Sequence, residues 1–276
     1  MKKVLYIVCL LLIVFPVVYG QNDGTSGDAA TDSLSIGDHV GFTEQHIDYK
    51  KADADSAYMR EDYATAIQIY ESLLEQGESA IIYYNLGNSY YKSDNIGKAI
   101  LNYERALLMR PGNGDIRANL EIARGKTVDK VDAIPEIFIV SWMKTLINTM
   151  SVNAWARWGV AFFFIFLAGL YFYIFSNRLS RKKAGFITGI VSLLFCLVSN
   201  IFAYHQKSAL ENRNTAIVTT PSITVRSTPS ESGNNLFVLH EGAKVFIKDN
   251  TMREWKEIRL EDGKVGWVSA RDIEVI

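Results

Sequence analysis

The sequence predicts a multi-domain membrane protein that combines an all-α array of helix pairs, a two-helix transmembrane hairpin and a small all-β barrel. Three observations lead to this prediction. Residues 46–125 repeat a pattern at a constant offset of 33 positions, residues 158–204 hold two long uncharged stretches, and residues 215–276 form short runs that alternate apolar and polar side chains. A single soluble globular domain is therefore excluded.

Composition and cysteine content narrow the function classes. The 276 residues carry a net charge of −1, which disfavours a nucleic-acid partner because phosphate binding needs a basic surface. The two cysteines, Cys9 and Cys196, both lie in apolar stretches. They therefore offer no disulfide framework, zinc site, redox pair or catalytic nucleophile, and no cofactor is predicted.

The N-terminal segment has the features of a secretory signal. Lys2 and Lys3 precede an apolar stretch over residues 4–18, and Gly20 supplies a small residue at the expected cleavage position. An uncleaved anchor helix is the alternative. Residues 21–41 are rich in Gly, Asp, Ser and Thr, so we expect a disordered tether that cannot bury enough apolar surface to fold.

Two transmembrane helices are predicted at residues 155–177 and 184–204, because their uncharged cores match the length needed to cross a bilayer. The loop between them, residues 178–183, carries four positive charges and no acidic residue. Such loops favour the cytoplasm, so the protein is expected in the inner (cytoplasmic) membrane with both long flanks in the periplasm. The uncharged cores contain no ionisable group for conduction and are interpreted as anchors.

The repeat has a recognisable motif. Equivalent positions share small or aromatic side chains, as in the pairs Ala54 and Gly87, Tyr58 and Tyr91, Ala66 and Ala99, and Tyr70 and Tyr103. The run from Tyr83 to Tyr91, followed by Ala99, Tyr103, Ala106 and Pro111, resembles a tetratricopeptide repeat. The resemblance implies a tetratricopeptide array over residues 42–126, with two full repeats and a terminal helix that begins at Gly114. An array this short is expected to need support from a partner, a dimer mate or the next segment.

Helices on the concave surface of such an array present their side chains to a ligand. We predict a partner-binding groove formed by six residues: Lys51, Asp55, Tyr58, Tyr84, Asn88 and Tyr91. Two alternatives stay open for these side chains. Asn88 is either a solvated groove residue or a ligand for a carboxylate, and the tyrosines serve either core packing or ligand contact.

A further amphipathic helix is predicted over residues 134–150, directly before the first span. Its apolar side chains gather on one helical face: Phe138, Ile139, Trp142, Leu146 and Ile147. We predict an interfacial membrane helix, and a helix that caps the repeat array is the alternative.

The C-terminal segment is predicted to fold as five or six short strands, with turns at Glu241-Gly242 and Asp262-Gly263. Residues 225–230, residues 239–245 and the sequence Gly266-Trp267-Val268 resemble a bacterial SH3 domain, which implies an SH3-like barrel over residues 213–276. Such domains in other exported proteins often contact cell-wall peptides. Trp255 is therefore the candidate for cell-wall binding, whereas Trp267 is expected in the core.

No catalytic constellation is found. The four histidines (His39, His46, His205 and His240) are scattered, and none occurs in a metal-binding spacing. Neither a nucleophile elbow nor a phosphate loop is present. We therefore predict a protein that is not an enzyme.

The order of these parts resembles the BatE family of the Bacteroides aerotolerance operon. That resemblance implies membrane-anchored partners with von Willebrand factor A domains and a role in oxidative or envelope stress tolerance. The lipid bilayer is a second expected partner, and peptidoglycan is a candidate ligand of the barrel.

Two functions compete: a scaffold that docks a protein through its repeats, and a sensor that binds peptidoglycan through its barrel. The short loop between the spans has no room for a cytoplasmic output domain, which favours the scaffold.

Overall fold

The computed structural model describes residues 50–130 and 137–276. These residues contain eight α-helices and seven β-strands that belong to one structural unit. The predicted signal peptide at residues 1–20 and the predicted tether at residues 21–41 lie outside the described residues.

Five helices build the repeat array, as two antiparallel pairs and a terminal helix. They are α1 (Lys51–Met59), α2 (Tyr63–Gln76), α3 (Ala80–Lys92), α4 (Ile96–Met109) and α5 (Gly114–Arg124). Three of them begin at a residue whose side chain accepts a hydrogen bond from a backbone N–H of the first turn: Asp62, Asn95 and Asn113. The predicted all-α array is confirmed.

Small residues allow the helices of the second pair to pack closely. A Cβ atom built on Gly87 would lie 2.7 Å from the ring of Tyr103, and that ring is almost fully buried. Ala99 and Ala106 are also completely buried on α4. Gly87 on α3 therefore lies directly against the ring of Tyr103 on α4.

Three helices follow the array: α6 (Phe138–Ile147), α7 (Val152–Phe175) and α8 (Leu179–Glu211). Both α7 and α8 are long and apolar enough to cross a membrane, which is compatible with membrane anchoring. They pack through glycines, since a Cβ atom built on Gly169 would lie 2.9 Å from the carbonyl oxygen of Gly185. Small residues at this contact let the two backbones approach.

The helix that contains the second predicted span is longer than the span itself. The predicted loop over residues 178–183 is helical from Leu179, because lysine and arginine are good helix formers and the run contains neither glycine nor proline. The helix also continues past Tyr204 to Glu211. Its 33 residues extend about 50 Å, longer than the ~30 Å apolar core of a bilayer.

The C-terminal domain (residues 213–276) is one antiparallel sheet of seven strands in the order β3-β2-β6-β5-β4-β1-β7. The strands are β1 (Thr215–Val218), β2 (Ser222–Arg226), β3 (Asn235–His240), β4 (Lys244–Asp249), β5 (Trp255–Arg259), β6 (Val265–Ser269) and β7 (Ile273–Val275). Both predicted turns hold a glycine with positive φ, at Gly242 (83°) and Gly263 (90°). The sheet is consistent with the predicted SH3-like domain and has more strands than expected.

The prediction for Trp267 is wrong. Along β6 the neighbours Gly266 and Val268 are buried and Trp267 is only half-buried. Successive side chains of a strand point to opposite faces, so burial of these two neighbours turns the indole away from the core.

The array and the C-terminal domain share a core. Ile217 of β1 and Ile276 are buried in the same apolar cluster as Tyr70, Leu101 and other array residues. At the edge of this junction, the side chain of Glu104 on α4 is 7% exposed and binds Arg124 of the array and Lys244 of β4. The C-terminal domain, which was not among the three expected sources of support, thus buries apolar surface of the short array.

Candidate functional site

The concave face of the array holds two adjoining cavities of about 250 and 220 Å³. Both are lined by Tyr58 of α1 and Asn88 of α3, so they form one continuous groove. The remaining lining residues come from α1 to α5: Asp55, Met59, Tyr70, Asn85, Tyr91, Lys92, Tyr103, Asn119 and Ile122. We refer to this lining as the groove.

A hydrogen-bond network fixes the floor of the groove. The Oδ1 atom of Asn88 accepts hydrogen bonds from the Tyr103 hydroxyl (2.8 Å) and from Nδ2 of Asn119 (2.9 Å). Nδ2 of Asn119 also donates to the hydroxyl oxygen of Tyr84 (3.0 Å). The network therefore ties α3, α4 and α5 together and holds the Asn88 side chain in one orientation.

Charge at the other end of the groove is compensated. Asp55 accepts hydrogen bonds from Lys51 Nζ (2.5 Å), the Tyr70 hydroxyl (2.5 Å) and Asn85 Nδ2 (3.2 Å). Burial opposes ionisation of Asp55, but the hydrogen bonds from Lys51 and Tyr70 lower its pKa. The carboxylate thus links α1 to α2 and α3.

Two tyrosines of the groove, Tyr58 and Tyr91, are half-buried and make contacts within the array. Tyr58 packs edge-on against Tyr63 with 5.4 Å between ring centroids, and the ammonium of Lys126 lies 4.3 Å from the ring centroid of Tyr91. Such contacts hold the rings in place. Their remaining surface faces the groove, so each ring combines packing with exposure to a ligand.

The structure brings together four of the six predicted groove residues. Asp55, Tyr58, Asn88 and Tyr91 line the cavities. The other two do not line the cavities: Lys51 is exposed and pairs with Asp55, and the Tyr84 hydroxyl accepts a hydrogen bond from Asn119.

Sequence reasoning missed several residues of the groove. Asn119 follows Asn85 by 34 positions, one more than the 33-residue offset of the first two repeats, so strict extension of that offset points to Ala118 instead. Met59 and Ile122 are 83% and 56% exposed at the rim. No sequence signal distinguishes these two from ordinary apolar helix positions.

A separate cavity of about 340 Å³ lies on the C-terminal domain, at the start of β2 and β5. Trp255 lines it beside Arg226, Arg271 and Asp272. Burial raises the pKa of the Asp272 carboxyl, and the charge of Arg271 opposes the rise. This cavity offers one aromatic face and charges of both signs.

Within residues 50–130 and 137–276, no group of three or more His, Cys, Asp or Glu side chains could hold a metal ion. His240 contributes to the junction between the array and the C-terminal domain, where its backbone N–H donates a hydrogen bond to Oδ2 of Asp129 (2.6 Å).

Fold and cavities define a modular class of protein that combines a helical interaction array, two apolar helices and a small β domain. Two family models agree: Tetratricopeptide repeat matches residues 80–113, and Bacterial SH3 domain matches residues 221–274. No curated protein matches the chain. Tetratricopeptide repeats typically mediate protein–protein interactions, bacterial SH3 domains typically bind cell walls outside the cytoplasm, and both are typically non-catalytic.

Proposed function

We propose that the protein is a non-catalytic, membrane-anchored scaffold of a cell-envelope complex, and that the groove docks a protein partner. The observation that carries this proposal is the continuous groove, with half-buried Tyr58 and Tyr91 in its lining and exposed Met59 and Ile122 at its rim. Aromatic side chains such as tyrosine often contribute much of the binding free energy of a protein interface, and concave sites lined by apolar side chains suit ligands.

The partners that fit the proposal are membrane-anchored proteins with von Willebrand factor A domains, in a complex for aerotolerance or envelope stress resistance. Support comes from the order of the parts, which resembles the BatE family. In that setting a groove outside the cytoplasm is accessible to domains anchored in the same membrane.

The proposed location is the inner membrane, with the array and the C-terminal domain in the periplasm. Four basic side chains at one end of the α7–α8 hairpin support this orientation: Arg178, Arg181, Lys182 and Lys183. Alkaline phosphatase fused after Gly125 or Ile276 should be active, and phosphatase fused at Arg181 should be inactive. Cytoplasmic reporter signal from either long segment would contradict the orientation.

The groove is tested by Met59→Asp and Ile122→Asp in the full-length protein. Both side chains are exposed, so the variants should fold, while a charge at the rim should reduce recovery of the partner at least tenfold. Ile81→Asp is the matched control, because Ile81 is an exposed apolar residue of α3 outside the groove lining.

A second pair of changes, Tyr84→Ala with Asn88→Ala, removes the network on the floor and should also reduce complex recovery. Normal assembly of the rim variants, together with loss of assembly when residues 215–276 are deleted, would refute docking through the groove.

A peptidoglycan-binding sensor is the second candidate function. The cavity beside Trp255 supports it, because an indole between arginine and carboxylate side chains suits the peptide of a cell wall, which carries both charges. Trp255→Ala should then abolish cosedimentation of the full-length protein with purified sacculi, while Trp267→Ala serves as the control from the same sheet. Unchanged cosedimentation of the Trp255 variant would exclude this cavity as the wall-binding site.

A further inference from the structure

Helix α6 exposes apolar side chains that nothing among the described residues covers. Phe138, Ile139 and Trp142 are 80%, 67% and 55% exposed, and within α6 only Ile147 is buried. These side chains therefore do not cap the array, which was the alternative for this segment. An aromatic and aliphatic surface of this kind is costly in water.

The C-terminal end of α6 is fastened to both long helices. Ile147 is the last residue of α6, and its carbonyl oxygen has no partner within the helix. It accepts hydrogen bonds from Nε1 of Trp155 on α7 (2.9 Å) and from Nε2 of Gln206 on α8 (2.7 Å). The second N–H of Gln206 Nε2 donates to the carbonyl oxygen of Met150 (2.7 Å), and the Gln206 side chain is buried.

These contacts locate α6 along the hairpin. Trp155 lies in the first turn of α7 and Gln206 lies near the end of α8, so both mark the end of the hairpin that carries the array and the C-terminal domain. Tryptophan at the end of a spanning helix lies at the level of the lipid headgroups. A helix attached at this level meets the bilayer surface.

We propose that α6 lies in the membrane interface at this end of the hairpin, with Ile139 and Trp142 in contact with lipid, and that Gln206 is the positioning residue that holds it there. The inference rests on α7 and α8 crossing the bilayer. Lipid is the occupant we assign, because α6 is attached to the two long apolar helices and because polar side chains lie on the other side of α6: Ser141, Lys144 and Thr145.

The test uses the full-length protein in nanodiscs of phosphatidylethanolamine and phosphatidylglycerol. Cys9 and Cys196 are replaced by alanine, and an environment-sensitive fluorophore is attached at Ile139→Cys or Ser141→Cys. Two residues rotate an α-helix by about 200°, so the two labels lie on opposite sides of α6. Doxyl-labelled lipids should quench the label at position 139 several-fold more than the label at position 141.

A label at Phe164→Cys, in the middle of α7, reports on the spans themselves. Quenching at position 164 without quenching at position 139 would overturn the inference about α6 and leave membrane anchoring intact. A label at position 139 that is shielded from water but not quenched by lipid would also overturn it, because protein would then cover the apolar face. Absence of quenching at position 164 would instead refute the anchoring on which the inference rests.

The role of Gln206 is tested by Gln206→Met, which keeps the side-chain length and removes both hydrogen-bond donors. The difference in quenching between positions 139 and 141 should shrink in this variant. Ser208→Ala, two residues further along α8, is the control and should preserve the difference. An unchanged difference in the Gln206 variant would overturn the positioning role.

Discussion

The two faces of the repeat array differ in what covers them. On the concave face, the groove is open to solvent and its polar groups are linked by hydrogen bonds among Asn88, Tyr103 and Asn119. On the face formed by α4, Ile217 and Ile276 of the C-terminal domain complete the apolar core. The C-terminal domain therefore buries apolar surface on one face of the array and leaves the concave face open to solvent.

The buried and exposed carboxylates of the array also differ between the covered face and the concave face. Glu104 on the covered face is buried and is held by Arg124 and Lys244 from two different domains. Burial opposes the charge of Arg124, but the carboxylates of Glu104 and Glu121 raise its pKa. Asp55 on the concave face is more accessible, and a single lysine compensates its charge. Removal of a carboxylate charge should therefore lower the free energy of unfolding more at the junction than in the groove.

The largest effect is expected when the covered face is exposed. An isolated fragment of residues 42–126 loses the contacts with Ile217 and Ile276, each of which contributes about 1.5–3 kcal/mol of burial free energy. Thermal unfolding of the fragment, followed by circular dichroism, should occur at low temperature or depend on concentration. A sharp, concentration-independent transition at high temperature would show that the array does not need the junction.

A smaller effect is expected for Glu104→Gln in the full-length protein. The substitution leaves Arg124 and Lys244 without their shared carboxylate and should lower the free energy of unfolding by about 3 kcal/mol. Glu121→Gln is the matched control, since Glu121 binds the same arginine (2.9 Å) at an exposed position. Pulse proteolysis in urea measures the free energy of unfolding of both variants. Equal losses would contradict the prediction that the buried carboxylate contributes more than the exposed one.

On the concave face, Asn88→Ala should lower the free energy of unfolding by about 1–2 kcal/mol, because it leaves the buried hydroxyl of Tyr103 without its hydrogen-bond acceptor. Tyr84→Phe removes only the acceptor of one Asn119 hydrogen bond and should cost less. The same proteolysis assay compares them. A loss in Asn88→Ala larger than that in Glu104→Gln would reverse the proposed division between the two faces.

The smallest effect concerns pH. Hydrogen bonds from Arg213 hold the pKa of Glu78 below its ordinary value of 4.5, and the Tyr83 hydroxyl contributes to the shift. A lowered native pKa stabilises the folded state above pH 4.5, and this contribution is lost as the pH falls through the native pKa. The pair is partly exposed, so the change should stay below about 1 kcal/mol.

Glu78→Gln should flatten this part of the stability profile, measured by urea unfolding between neutral and acidic pH. An unchanged profile in the variant would assign the acid sensitivity to other carboxylates.

Much of the fold could be predicted from local pattern. The offset between Gly87 and Ala54 located the helix pairs, the uncharged stretches located α7 and α8, and glycine turns such as Gly263 located the strands. The start of α8 was harder to predict, because the basic residues that indicate a cytoplasmic loop also form helices well.

The candidate site was predicted only in part. Repeat geometry gave Tyr58, Asn88 and Tyr91, because the period of the array places them on the same face. Ile122 and Met59 could not be found in this way, since exposure at a rim depends on the position of neighbouring helices and leaves no mark on the local sequence.

The helix pairs, the two apolar helices and the strand-rich C-terminal segment follow from the amino-acid sequence, because each depends on side-chain periodicity within a short stretch. Three other features depend on how distant elements pack. Ile217 and Ile276 complete the core of the array, Glu104 is shared between two domains, and Gln206 reaches the end of α6. Lys244 follows Glu104 by 140 positions and Gln206 follows Ile147 by 59. Contacts at such separations arise from the packing of whole elements, and no local pattern records them.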